Sequence, residues 1–442
     1  MGTVIETSKH IPQPAGQGKK PANLKGAFFW LSAFYFVYCA RPEDWIPILK
    51  YIPLAKITGV FALLGLLNSL GRTQRKFRDL PPEANYLLGM IGVFVISALL
   101  SPIWAGGALR NTLDFAKVWI VWVLTFFLIT DFSRLRRVIY IQASSVAVIS
   151  LVSLIMGHNQ PRLSGVIGGI YSNPNDLAFA IVLTLPFSLA FLLTSKKAIF
   201  KVLWVLGILI MGLTLFMTAS RAGFITLMIS GTVCLWHFGV KGRRFYLLVA
   251  SALAIVLLLA IAGRPLMSRM NAITDERGEA YGSFEARKYL MQRAIEGIEH
   301  YPLFGLGMKN FEVYSGVWHD VHMTYLQIAV EGGIPSLILY LLFFSRAFSN
   351  LRKLLRRKDL DEHTTLFVGG LHSSMIGFAV GALFAPEAYQ FFPYFAVAYT
   401  SALAATLTQR ETAPQSPAAG RWSRRYGVVS ANHRANDLTP VR

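Results

Sequence analysis

The stretch HDVHMTYLQIAVEGGIPSLILYLLFF, residues 319–344, starts with the polar residues of an aqueous loop and finishes as an apolar run suited to the middle of a lipid bilayer. An ionised side chain at bilayer depth costs upwards of ~2.5 kcal/mol. A span that opens on His322 and carries Glu331 therefore needs a reason for its polar mouth. From Met323 onward the run reaches the ~20 residues that a helix needs to cross a hydrocarbon core. The stretch reads as a membrane helix whose outer end faces something polar.

The same pattern extends along the chain. Of 442 residues, 54% are hydrophobic and 15% charged, where soluble domains carry roughly 25% charged residues. Apolar segments near span length fall at 26–40, 51–70, 84–103, 111–130, 138–157, 176–194, 200–219, 222–238, 245–263, 323–345, 365–384 and 389–408. The expected fold is an all-α polytopic membrane protein with about twelve transmembrane helices.

A formal net charge of +20 in a soluble chain would suggest a nucleic-acid partner, but in a membrane protein the position of each charge matters more than the sum. With a cytoplasmic N-terminus, about 29 Lys and Arg fall on the inside and about 12 on the outside, most of the latter in one long loop. Charges in a long loop have little influence on orientation, so both termini are expected to be cytoplasmic. The basic pI is then explained by membrane lipids as partners, without nucleic acid. A polar tail of about 25 residues precedes the first apolar run and no small-residue cleavage site closes that run, so the first span is expected to remain. Cys39 and Cys234 fall near opposite ends of their spans, which disfavours a disulfide.

This layout divides the chain into a tail at 1–25, nine spans at 26–263, an outer loop at 264–322, three spans at 323–408 and a basic tail at 409–442. The tails are rich in Pro, Gly, Ser and Ala without an apolar period, and are expected to be disordered. GFAVG, at 377–381, has the small-residue spacing that lets membrane helices approach closely, a spacing that also arises by chance in a glycine-rich chain.

The outer loop is the one long connection. Within it SFEARKYLMQRAIEGIEHYP, 283–302, reads as an amphipathic helix ended by Pro302. At ~100° per residue, Phe284, Leu290, Met291, Ala294, Ile295, Ile298 and Tyr301 gather within roughly 140° of arc. Arg287 lands in the middle of that stripe, while Glu285, Gln292, Arg293, Glu296 and Glu299 take the other face. Arg287 is thus expected to point inward and Arg293 at water.

Each candidate carries two readings. Arg287 either snorkels along apolar surface or holds a phosphate bidentately at an outer cavity. Arg221, in FMTASRAGFITLM between two spans, either reaches lipid headgroups or pairs with Arg287 as a clamp for a diphosphate. Asn173, Asn175 and Asp176 in YSNPNDLAF suit an N-cap, and they also leave a helix N-terminus facing an anion. His322 is either a polar cap or an acid–base group, with Tyr325 sharing its face at i+3. HDVH lacks a third ligand of suitable spacing, so no metal is expected. Glu331, at i+9, lies about 180° round and ~13 Å deeper than His322, and is expected to face polar groups on neighbouring helices or to be protonated, in a structural role. Asp114 and Lys117, at i and i+3, are expected to neutralise one another, and Lys56 has no evident partner in the sequence.

The ordered series SNPNDLA at 172–178, TASRAGF at 218–224, EARKYLMQRAIEGIEHYPLFGLGMKNF at 285–311 and HMTYLQIAVEGGIP at 322–335 resembles the O-antigen ligase and O-antigen polymerase superfamily. The resemblance covers roughly residues 160–345. It implies a GT-C-like, metal-independent glycosyltransferase of the bacterial inner membrane, needing no cofactor. Such an enzyme takes a glycan from an undecaprenyl-diphosphate carrier on the periplasmic face. Ligases pass it to lipid A-core, polymerases to another lipid-linked repeat, and related enzymes to protein hydroxyls. By resemblance, Arg287 matches the family's loop arginine, Arg221 the arginine after the seventh span, and His322 the histidine ahead of the xxYL pattern. The chain departs at Met323, where family members often carry Asn or Ser. The span count and loop position favour a ligase. On these implied roles His322 and Arg287 are catalytic, Arg221 and Arg287 hold the donor diphosphate, and Asn173, Asn175, Tyr325 and Glu331 support them. A transporter is the competing class, but the halves of the chain show no repeat and few spans carry deep ionisable residues.

Overall fold

The structure is a computed structural model that describes residues 24–70, 73, 75–157, 162–165, 170–271, 279–317 and 319–412, with only the backbone described at 262–271, 279–284 and 410–412. Most of both expected disordered tails, residues 1–23 and 413–442, and the Phe284 side chain lie outside the described residues.

The described residues contain helices and no strand. In order they are α1 Lys25–Ala40, α2 Pro42–Trp45, α3 Leu54–Leu67, α4 Pro82–Leu99, α5 Ala105–Leu128, α6 Phe132–Gly157, α7 Pro174–Thr194 and α8 Ala198–Met217. They continue with α9 Arg221–Leu235, α10 Tyr246–Asn271, α11 Glu279–His300, α12 Phe311–Tyr314, α13 Thr324–Arg356, α14 Glu362–Gly381 and α15 Phe391–Thr412. A helix covers each of the twelve expected spans. Among the described residues, nine helices are long and apolar enough to cross a membrane, while Leu54–Leu67 and Tyr246–Ile261 are shorter apolar helices and α1 has 16 residues. The chain is an all-α polytopic membrane protein.

Two boundaries differ from the hydropathy reading. Helix α10 runs on past Gly263 and Pro265 to Asn271, because a proline removes one hydrogen bond without dictating that the helix stop. Helix α13 runs to Arg356, but it is two helices joined at Gly333, whose φ is 75° and ψ 174°. The cause is local. Pro335 has no N–H to offer the Glu331 carbonyl, and Gly333 turns the Ile334 N–H away from Val330.

The freed groups find partners in the loop after α11. Leu306 N donates to Val330 O (2.9 Å), Gly307 N to Glu331 O (2.9 Å), and Ile334 N to Pro302 O (2.8 Å). Ser97 on α4 adds a hydroxyl to Glu331 O at 2.7 Å. The approach is close enough that a Cβ on Gly333 would sit 2.3 Å from Leu303 O. Irregular backbone at membrane depth persists only when protein satisfies it, and here a loop segment does so.

Small residues set other contacts. A Cβ on Gly377 would lie 2.7 Å from Ser230 Cβ, and one on Gly381 2.5 Å from Phe179, so GFAVG is where α14 meets α9 and α7. Both cysteines are buried and unpaired with each other. Asp114 and Lys117 form the expected i,i+3 ion pair on α5. Lys56 lies exposed on α3, near enough for its charge to act on Asp114.

Candidate functional site

The polar mouth of α13 is built from four segments. Helix α11 packs on it through Leu290 and Ala294, which share one buried cluster with Leu306, Phe311, Val321 and Val330. Gly297 lets the helix axis come close, since a Cβ there would meet Val330 at 2.7 Å. The docked face is therefore centred on Leu290, Ala294 and Gly297, while Met291, Ile295 and Tyr301 remain exposed. Apolar residues can be left exposed on a membrane-proximal helix, because lipid can take the place of protein. Arg287, one turn before Leu290, is half-buried at the border of the two faces.

Arg293 does not point at water as its helical position suggested. It donates to Tyr314 O at 3.1 Å, pairs with Glu296, and lies 4.5 Å over the Tyr314 ring. Tyr289 donates to Ser315 O at 3.1 Å, so both side chains fasten α11 to α12. A wheel drawn for one helix cannot anticipate α12, four residues long, beside its polar face.

With α11 fastened in this way, Arg287 lies near enough for its charge to act on His322, which follows Val321 of the shared cluster. His322 is half-buried, and its Nδ1 has no hydrogen-bond partner. Burial first, and then the positive charge of Arg287, push its proton affinity down to about 4; Asp320 opposes this and His319 adds to it. The imidazole is consequently neutral near pH 7.

Tyr325 donates to Ala379 O on α14 at 2.7 Å. The N-cap position of α13 is Met323, which supplies no side-chain cap. That role passes to the turn after α14. Thr324 N donates to Ala382 O (2.8 Å), its hydroxyl donates to Ala385 O (2.7 Å), and Glu387 N donates to that hydroxyl (3.0 Å).

Asn173 caps α7, its Oδ1 accepting from Asn175 N at 2.9 Å. Asn175 Oδ1 in turn accepts from the Ser220 hydroxyl at 2.7 Å, and Ser220 caps α9 through Gly223 N. The helix start that bears Arg221 is thus held to the helix start that bears Asn175. Ala219, at φ 49°, makes the sharp turn just before. Arg162 donates to Thr218 O at 3.2 Å and brings a further guanidinium to this turn. Nothing in the sequence signals Arg162, because its loop has no period.

Sequence reasoning also misses a cluster around Lys309. Its ammonium donates to Asp320 (2.6 Å) and Glu312 (3.3 Å). Burial opposes the charge, but Asp320, Glu331 and Glu312 outweigh it and raise the proton affinity of Lys309. Glu331 is buried and accepts from the hydroxyl of Tyr389, in the loop before α15. Glu387 is held above the usual carboxylate range by burial and by neighbouring Asp176. Lys309 and Asp320 act on Asp176 as well, so the Asn173–Asp176 turn, the Lys309 cluster and His322 are neighbours at one end of the bundle. Among the described residues no group of three or more His, Cys, Asp or Glu is placed to hold a metal ion.

A comparison with curated proteins gave no match. A family model described as O-antigen ligase matches residues 206–341, about a third of the chain, a segment that includes Arg221, Arg287, His322, Tyr325 and Glu331. That segment is also the one that builds the polar mouth of α13, and over it the chain is similar to the O-antigen ligase family.

Proposed function

We propose that this protein is an O-antigen ligase-like glycosyltransferase. In this reading it moves a glycan from undecaprenyl diphosphate to a hydroxyl acceptor, lipid A-core, on the periplasmic face of the bacterial inner membrane, within a GT-C-like fold. The observation that carries the reading is the placement of Arg287 beside a neutral His322 at the boundary end of α13.

The acceptor oxygen attacks the anomeric carbon, and the bond from that carbon to the diphosphate oxygen breaks with its electron pair leaving on the diphosphate. Arg287, with Arg221 on the neighbouring α9 start, stabilises the charge that develops there, an effect typically worth about 10²–10³ in rate per donor. His322 takes the acceptor's proton or orients its hydroxyl. A proton affinity near 4 makes a weak base, and the same geometry supplies a remedy. A bound diphosphate offsets the Arg287 charge that depresses His322 and so raises its proton affinity as the donor docks. Asn173, Asn175 and Tyr325 act through the backbone positions they fix, and Glu331 supports the broken helix.

The test is to supply the purified protein in nanodiscs with undecaprenyl-diphosphate glycan, with and without lipid A-core, and to read the products by gel and mass spectrometry. Glycan on lipid A-core, lost in Arg287→Ala, supports the ligase. Longer lipid-linked chains without transfer to the core would make the protein a polymerase. Transfer only to a protein hydroxyl would make it a protein O-glycosylation ligase, and no bond change with any acceptor would return the weight to transport.

A further inference from the structure

The end of the bundle opposite His322 carries a cavity that glycan transfer does not use. It has a volume of about 580 Å³ and lies between the start of α6, the end of α7 and the start of α8. Arg136, Arg137, Lys196 and Lys197 line it, and no carboxylate does. Three other cations at this end are paired with acids: Arg134 with Asp131 at 3.5 Å, Arg244 with Glu362, and Arg357 with Asp359.

The cavity is partly pre-organised. Arg136 donates to the Thr194 hydroxyl at 3.4 Å and lies 5.7 Å over the Phe191 ring. A second cavity of about 370 Å³ shares Ser133 and Arg137 with the first and is also lined by no carboxylate. The apolar wall includes Tyr140 and Phe200, each about two-fifths exposed, and buried Trp204. Cations at a helix-end cavity beside exposed aromatic surface match a phosphate group joined to hydrocarbon chains, and basic pockets between membrane helices suit anionic head groups. A free anion would have no use for the exposed rings.

We propose that this cavity binds the phosphate head group of an anionic phospholipid from the leaflet opposite the reaction site. Phosphate oxygens sit among Arg136, Arg137 and Lys197, and the acyl chains run along Tyr140 and Phe200.

The experiment uses the full chain in non-ionic detergent, titrated separately with phosphatidylglycerol, phosphatidylcholine and inorganic phosphate, and read by native mass spectrometry. The expected result is a preference of about 10-fold or more for phosphatidylglycerol over phosphatidylcholine. The preference is lost in Arg136→Gln/Lys197→Gln, and kept in the charge-preserving Arg136→Lys/Lys197→Arg. It is also kept in Lys353→Gln/Lys358→Gln, which removes the same charge from the same end of the bundle outside the cavity. Equal loss in that last variant, or equal binding of both lipids, would overturn the site. Displacement of the lipid by millimolar inorganic phosphate would overturn the assignment to a lipid in favour of a soluble anion.

Discussion

Arg287 and His322 illustrate how a charge on one element changes the protonation of a side chain on another. Arg287→Ala should lower the transfer rate by about 10²–10³ in the product assay, whereas Arg293→Ala should lower it less than about 10-fold. Arg293 holds Tyr314 in a contact worth about 0.5–1 kcal/mol, so its loss should show mainly as a lower melting temperature. Equal losses of activity would remove the distinction between the two faces of α11. His322 in the folded protein binds its proton near pH 4, below the ordinary value of about 6.5. The unfolded chain therefore binds more protons in that window, and stability from this group is complete above about pH 6.5 and lost as pH falls toward 4. Wild type should lose melting temperature relative to His322→Gln between pH 7 and pH 4.5. In the rate profile, the acid limb of kcat/KM should lie near pH 4 and that of kcat higher, because bound diphosphate offsets Arg287. Coincident limbs would exclude that coupling. Of the residues singled out in the sequence, Asn173 proves to be a helix cap and Tyr325 an anchor to α14. Side-chain type and spacing gave Tyr325 its shared face with His322, but a partner 54 residues away gave it its bond.

At the scale of elements, α13 is the instructive case. Its hydropathy reads as one span, and the break at Gly333 is written in the sequence as EGGIP, yet glycine and proline alone do not say whether a helix kinks or stays straight. The loop after α11 decides it, by donating Leu306 and Gly307 N–H groups to the carbonyls that the break exposes. Gly333→Ala should destabilise the protein by about 1–3 kcal/mol, since it strains a positive φ and sets a Cβ against Leu303 O. Gly316→Ala has the same kind of φ, at 77°, but open space around it. In thermal melts Gly333→Ala should unfold at the lower temperature, and equal melting would mean that docking of the loop contributes nothing. The amphipathic α11 was legible as a helix, with its end at His300, just before Pro302. Its buried face was legible only in part, because exposed Met291 and Ile295 belong to the same apolar stripe and the wheel does not separate lipid from protein.

On the scale of the molecule, the candidate site gathers at one end of the bundle and the unpaired basic cavity at the other. If the site end is periplasmic, Val317→Cys should react with a membrane-impermeant maleimide added to spheroplasts, and Asp359→Cys should react only after lysis. The buried Cys39 and Cys234 give little background in this assay. Labelling of both from one side would refute the orientation. The sequence by itself determined the helical class and the segments that become helices, because the bilayer demands long apolar runs with every backbone group bonded within the run. It also determined which residue types stand at helix starts, since capping and charge preferences act over a few residues. Only the tertiary structure decided that Arg287 comes near enough to act on His322, that Arg293 binds Tyr314, that Arg162 joins the turn before Arg221, and that Lys309 holds Asp320. Those pairings lie in loops or between helices, where no hydropathy period exists, and they depend on close approaches at Gly297 and Gly333 that follow from the packing of whole helices and their loops.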